Sequence, residues 1–300
     1  MSIIIRPVLH ERKSMSDPLP ELAVVIVNYN TRDLLHACLM ALQGSTIPLE
    51  IVVVDNHSQD GSAAMVAHDF PAVRLLALEE NTWFCGGNNR GIAAAQAPYV
   101  LMLNPDTEIA PEACERMLTV LKANPHLAGV TGRLVYPTVK VQQTCSRLPT
   151  FADLLIEHSL LRLIRPLTEQ RRRTRWYSDW PRHTDQDVEV APGSCVLLRR
   201  ADAPLNGDLR LYFPEEDLAK RLQRPFRFVA AAHIVHHEKA STRSWMATHV
   251  YFADLLIYTR KHHGRLAAGL LWLFSRPLYG LMWLAAQGRI HSSKTRSSNT

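Results

Sequence analysis

Four short stretches of this 300-residue chain carry side chains that do chemistry. Asn104-Pro105-Asp106 sets two oxygen-bearing groups around a proline, whose ring fixes φ and holds both in a set geometry. A hard divalent cation, Mg2+ or Mn2+, takes oxygen ligands and is often held by one or two carboxylates plus substrate phosphates. Asp106 is the candidate ligand, with Asn104 a weaker one or a water anchor. A turn in which Asp106 caps the next helix needs the same residues. Glu215-Glu216-Asp217 follows the apolar-aromatic Leu211-Tyr212-Phe213-Pro214. Three carboxylates in such company should include one with a raised pKa, because like charges and burial both disfavour ionisation. A general base that deprotonates a hydroxyl needs such a group; first-turn acids that complement a helix dipole have the same look.

The other two stretches are less specific. In Asn81 to Gly91 (NTWFCGGNNRG), Gly86 and Gly87 read as a loop allowing close backbone approach, with Asn88, Asn89 and Arg90 opening a helix. Free N–H groups at a helix N-terminus favour anions, although the stretch is neither a Walker loop nor GxGxxG and also suits a loop shaped only for packing. His236-His237-Glu238 holds adjacent histidines, which point in different directions on a strand and make no joint metal site. One could ligate a metal or contact a diphosphate; a structural histidine is the plainer reading.

Residues 22–28 (LAVVIVN), 51–55 (IVVVD) and 99–103 (YVLML) are short runs, apolar almost throughout, as in strands buried on both faces of a parallel sheet. Helical spacing is expected over 33–42, 62–69, 88–96 and 112–122, and a further strand over 130–136. Strand alternating with helix predicts a doubly wound α/β unit, which binds ligands at the carboxyl ends of its strands. Those ends carry Asn28-Tyr29-Asn30, Asp55-Asn56 and Asn104-Pro105-Asp106. The pattern weakens over 151–190, where Arg171-Arg172-Arg173-Thr174-Arg175 precedes Trp176 and Trp180, either a solvated face or an acceptor or membrane-surface patch. Residues 266–287 are strongly apolar, near the ~20 a membrane span needs, but Arg276 and Pro277 interrupt them. A span, an interfacial or re-entrant helix pair and a docked C-terminal helix all remain open.

With 47% hydrophobic and 21% charged residues the chain has ample core material. Its five cysteines show no CxxC pair, which points to a reducing compartment. The net charge of +6 favours polyanions such as anionic lipid or a diphosphate substrate; no nucleic-acid-binding module is recognisable. The first 20 residues show no signal peptide and read as a flexible leader.

Taken in order, VVIVNYNT, VVVDNHSQDGS, EENTWFCGGNNRG, LMLNPDTEI, LYFPEEDLAKRL and VHHEKAST resemble the family 2 inverting GT-A glycosyltransferases, closest to the bacterial rhamnosyltransferase-like branch, over about residues 22–264. The resemblance implies a Rossmann-like α/β fold, a mostly parallel sheet flanked by helices. Its nucleotide-sugar-binding half would be 21–136 and its acceptor-binding half 137–264, followed by an apolar, membrane-associated helical segment over 265–290 and a disordered tail over 291–300. It places Asn28 and Asn30 in the first nucleotide-contacting loop, Asp55 on the pyrimidine base, and Asn81, Gly86, Gly87 and Asn89 beside the diphosphate and donor sugar. Asp106 resembles the metal-binding aspartate of a DxD-type motif with Asn104 in its first slot, and Gly193-Ser194-Cys195 a segment lining the donor–acceptor cleft. Glu215 falls at the catalytic-base position of the E-(D/E)-x-D-L-x-x-R stretch when Asp217, Leu218 and Arg221 are aligned; a one-residue shift makes it Glu216. His236 matches the H-x-x-G-x-S element near metal and diphosphate, with Lys239 in place of its glycine, and Pro214 replaces the first acid of the acidic stretch.

The implied activity is metal-dependent, inverting transfer of a sugar, at branch level L-rhamnose from dTDP-rhamnose, to a cell-surface glycan or lipid-linked saccharide. The implied location is the cytoplasm at the inner membrane face, with peripheral contact to anionic lipid. The alternatives are a sugar-phosphate nucleotidyltransferase and a catalytically inactive glycan- or lipid-binding relative.

Overall fold

A computed structural model describes residues 20–238 and 245–297, without the side chains of Trp245 and 284–297. Residues 1–19, 239–244 (with Lys239 and most of the histidine element's second half) and 298–300 lie outside the description.

The three apolar runs form β1 (Leu22–Asn28), β2 (Leu49–Asp55) and β4 (Tyr99–Leu103). With β3 (Arg74–Ala77) they pair in parallel in the order β3-β2-β1-β4, so all four strands end on one edge. Helices α1 (Arg32–Gln43), α2 (Ser62–Asp69) and α3 (Trp83–Ala94) connect them. Leu22, Val24 and Ile26 pack against Leu35 and Leu39 of α1, all fully buried. Burying each such side chain contributes about 1.5–3 kcal/mol.

Helix α3 differs from expectation. It starts at Trp83 rather than Asn88, so Gly86 and Gly87 lie inside a helix and form no loop. Glycine is poor in a helix interior, but a Cβ at residue 87 would stand 2.7 Å from Val27 Cγ1, and one at residue 91 would collide with Val25. The glycines let α3 lie directly on β1.

Past β4 the sheet is mixed. Strands β5 (Thr107–Ile109), β6 (Gly129–Val135), β7 (Gln186–Val188), β8 (Cys195–Arg199) and β9 (Phe226–His236) continue it as β4-β8-β6-β9-β5, with β7 also on β9. β8 runs antiparallel to β4, pairing Leu103 with Cys195. Helix α4 (Ala113–Ala123) covers this half.

The chain divides into two compact units. The first takes residues 20–148, 176–210 and 214–238, hence the whole sheet. The second takes 149–175, 211–213 and 245–297. It contains α5 (Phe151–Glu157), closed by a Thr150/Asp153 capping box, a 3-10 turn at Leu160–Leu163, α6 (Arg165–Arg175) and α8 (Trp245–Ser297). Helix α7 (Pro214–Leu222) belongs to the first unit. α8 breaks at Gly264, whose φ of 91° suits glycine. It continues to Ser297, through part of the stretch expected to be a disordered tail. The second unit's core is Leu154, Phe213, Phe252, Leu255, Tyr258 and Leu271. Buried Asp254 ties segment 211–213 to α8 by accepting the Leu211 and Tyr212 N–H groups at 2.9 Å each. Among the described residues no helix is long and apolar enough to cross a membrane; Arg276 interrupts the apolar stretch over 266–287.

Candidate functional site

The register of β1 and β2 sets Asn28 beside Asp55 at the carboxyl edge. Asn28 Nδ2 donates to Asp55 Oδ1 and to Ser58 Oγ, both at 3.0 Å, and its Oδ1 accepts from Thr31 Oγ1 at 2.6 Å. Asp55 Oδ2 accepts the Ser58 N–H at 3.0 Å. Both side chains are buried. The Asn28 amide is thus consumed by the protein and positions Asp55 and the 55–60 loop. Asn30, at φ 53°, accepts the Gln59 N–H at 2.7 Å and donates its own N–H to Ser58 Oγ at 3.0 Å. Ser58 joins both loops, its N–H returning to the Asp55 carboxylate three residues back.

The next corner is fastened by Asn56, which follows β2. Its Oδ1 accepts the Thr82 N–H at 2.8 Å, and its Nδ2 donates to the Trp83 carbonyl at 3.0 Å. Asn81 Oδ1 accepts the Trp83 N–H at 2.8 Å, capping a helix start where Trp83 sits at φ 61°. The Arg210 guanidinium stands 5.9 Å from the Trp83 ring centre. Asn89, expected beside the donor sugar, instead exchanges two hydrogen bonds with the Leu205 backbone, at 2.7 and 2.9 Å.

After β4 the chain turns through Asn104-Pro105-Asp106 into β5, which pairs Thr107 with His236 of β9. Asp106 Oδ1 lies 3.4 Å from His236 Nε2, and both side chains are 13% exposed. Gln142, buried, donates through Nε2 to the His236 carbonyl at 2.9 Å, which turns its Oε1 to His236 Nδ1 at 2.8 Å. A Gln oxygen there requires Nδ1 to carry a proton and turns Nε2 toward Asp106. An imidazole nitrogen and a carboxylate side by side are ligand types a divalent cation takes, and the Gln142 contact is the outer support that metal-ligating histidines use. His237 points elsewhere, with Nε2 2.7 Å from Glu108 Oε1. Among the described residues no three His, Cys, Asp or Glu side chains cluster as a metal site.

The pairing of β4 with β8 carries the site onward. The Asn104 N–H donates to the Ser194 carbonyl at 2.9 Å. The adjoining Gly193 N–H donates to Glu215 Oε1 at 3.0 Å. Glu215, Glu216 and Asp217 all lie in the first turn of α7, but of these the Gly193 N–H meets Glu215. Glu215 is half-buried and lines a small pocket with Phe84, Met102, Leu205 and Leu218. Burial and then the neighbouring Glu216 charge push its carboxyl up to about 8. Arg221 donates to the carbonyls of Asp202 and Pro204 at 2.7 Å each, anchoring α7. Cys195 is fully buried in β8, and burial pushes its thiol up to about 12.

The family model described as Glycosyl transferase family 2 matches residues 23–202, more than half of the chain. The chain belongs to glycosyl transferase family 2. The N-acetylglucosaminyl-diphospho-decaprenol L-rhamnosyltransferase of Mycobacterium tuberculosis is 28% identical to it over 307 residues, covering 94% of this chain and 96% of that protein. Succinoglycan biosynthesis protein ExoO of Rhizobium meliloti is 36% identical over 104 residues, 34% of this chain and 30% of that one. Among solved structures, mannosyltransferase PcManGT from Pyrobaculum calidifontis, in complex with GDP-Man and Mn2+, matches with a TM-score of 0.52 at 13% identity, over 100% of this chain and 84% of that one. S. aureus TarS matches at 0.50 and 14% identity, over 80% and 40%. The two structures show a shared glycosyltransferase fold, and the motif order holds as that of a rhamnosyltransferase-like member.

Within this family 2 transferase, one edge of the sheet gathers Asn28, Asn30 and Asp55. A continuous path of pairings joins His236, Asp106, Asn104, Ser194, Gly193 and Glu215. Gly87 serves helix packing, a Cβ on Gly86 would meet Thr82, and Asn89 and Cys195 are engaged in structure. Asn56 was read at its strand end without a role, and Ser58 and Gln142 were missed; Gln142 has no motif, and only its pairing with a residue 94 positions away reveals it.

Proposed function

We propose that this family 2 glycosyltransferase moves L-rhamnose from dTDP-rhamnose to a hydroxyl of a lipid-diphosphate-linked saccharide, inverting the anomeric carbon in one displacement. The acceptor class follows the relative that aligns over 94% of the chain. The observation that carries the mechanism is the Gly193–Glu215 hydrogen bond, which fixes a high-pKa carboxylate two residues along β8's entry from the strand that delivers Asp106.

Asp55, held by Asn28 and Ser58, recognises the pyrimidine base. Glu215 accepts the proton of the acceptor hydroxyl while that oxygen attacks the anomeric carbon from the face opposite the nucleotide, and the nucleoside diphosphate departs. Asp106 and His236 would hold Mg2+ or Mn2+. When bound, the ion offsets charge on the departing diphosphate. The reaction is placed at the cytoplasmic face of the membrane, where a lipid-linked acceptor and the +6 chain can meet.

The test is transfer from a panel of nucleotide sugars to a synthetic lipid-diphospho-N-acetylglucosamine, with and without Mn2+, and NMR of the product's anomeric proton. Inverted product from dTDP-rhamnose supports the proposal. Retained configuration, or donor hydrolysis with no acceptor dependence, contradicts it.

A further inference from the structure

The second unit has a cavity of about 500 Å3 that takes no part in the site above. That volume is in the range of small-ligand pockets. Its walls are of two kinds. One is polar and basic: Arg162 from the 3-10 turn, with Thr168 and Arg172 from α6. The other is aromatic and apolar: Tyr212 and Tyr251, then Leu278 and Met282 of α8.

Charge in this cavity is unbalanced. Its one carboxylate, Glu157, is bound to Arg175, whereas Arg162 and Arg172 have no ion pair among the described residues and are exposed at the wall. His158, also lining it, adds no charge at neutral pH. Burial, then the Arg175 and Arg162 charges, push it down to about 3, and it meets Tyr251 Oη at 3.3 Å as a neutral ring. A fixed positive wall facing an apolar one matches a ligand with an anionic head and a hydrocarbon body.

The surroundings say how such a ligand arrives. Exposed Leu163, Ile164 and Leu167 flank the basic wall, and exposed Leu281, Met282 and Trp283 flank the apolar one. Helical segments with exposed apolar side chains and arginines are the makeup of a surface that lies in a membrane interface. We propose that the second unit is a docking site for the phosphoryl head of a membrane-borne isoprenoid-type lipid phosphate, gripped by Arg162 and Arg172, with its first hydrocarbon segment against Tyr251, Leu278 and Met282. The inference rests on the proposed function in one respect: the class of lipid is that of the proposed acceptor.

Binding of geranylgeranyl diphosphate to the full chain, measured by calorimetry without any sugar donor, tests this. The R162A/R172A double variant should bind at least tenfold more weakly while dTDP binding, which reports a folded first unit, stays as in the wild type. Geranylgeraniol and inorganic pyrophosphate should each bind far more weakly than the diphosphate lipid. Undiminished binding by the double variant overturns the proposal. So does pyrophosphate binding as tightly as the lipid, which marks a free-anion site, or geranylgeraniol doing so, which marks a merely greasy surface. Because no transfer is read, a chain that binds the lipid yet transfers nothing contradicts the proposed function and leaves this inference standing.

Discussion

The Gly193 N–H donates to Glu215 Oε1 at 3.0 Å, and a Cβ on residue 193 would land on that same carboxylate. The glycine therefore permits the acid to sit where it does. Because β8 begins two residues later, the position of Glu215 is tied to the strand that also meets Asn104.

Gly193→Ala is the corresponding prediction. The added methyl must displace the Glu215 carboxylate, as nothing at residue 193 contacts Asp55 or Ser58 in the described hydrogen bonds. Turnover should fall about 10²-fold or more, since a general base contributes ~10²–10⁴-fold, with donor affinity nearly unchanged. Steady-state kinetics alongside donor titration separates the two; a loss of affinity with normal turnover would speak against the link.

Glu215 also sets a pH dependence of opposite sign for rate and stability. Its carboxyl must be ionised to accept a proton, so turnover should climb as pH rises through about 8. Its folded pKa lies above the ordinary value of 4.5, so the folded state holds the proton more tightly. The stability this contributes is complete below that ordinary value and is lost as pH rises through about 8. Glu215→Gln should accordingly match the wild-type melting temperature in acid and exceed it in alkali. Melting curves on both proteins across pH check this; a constant difference at every pH contradicts it.

Gln142→Leu removes the acceptor that holds the His236 proton on Nδ1. Outer-shell losses of this kind typically weaken metal binding 10–100-fold. Mn2+ titration followed by electron paramagnetic resonance reads this without any turnover. Equal Mn2+ binding by the leucine variant and the wild type would leave Gln142 with a packing role only.

How far these features could be read from sequence varies with their physics. β1, β2 and β4 are buried on both faces, so their apolar runs and the polar residues ending them stood out, and α2 was located at its observed bounds. The start of α3 was not legible, because Gly86-Gly87 argues against a helix by propensity while contact with Val27 and Val25 decides for one. The three-residue strands β5 and β7 carry too little pattern to announce a mixed half. Asp106 and Glu215 were marked by their neighbours in sequence; Gln142 and Ser58 do their work through partners far along the chain. The arginine run was ambiguous because its members diverge: Arg171 and Arg175 pair with Asp153 and Glu157, while Arg172 faces the cavity.

Single-turnover transfer by Glu215→Gln, with donor saturating and binding verified by titration, decides whether Glu215 removes the acceptor's proton. The expected rate is lowered by about 10²–10⁴-fold with donor affinity intact and Glu216→Gln far less impaired. Wild-type transfer by Glu215→Gln would contradict it.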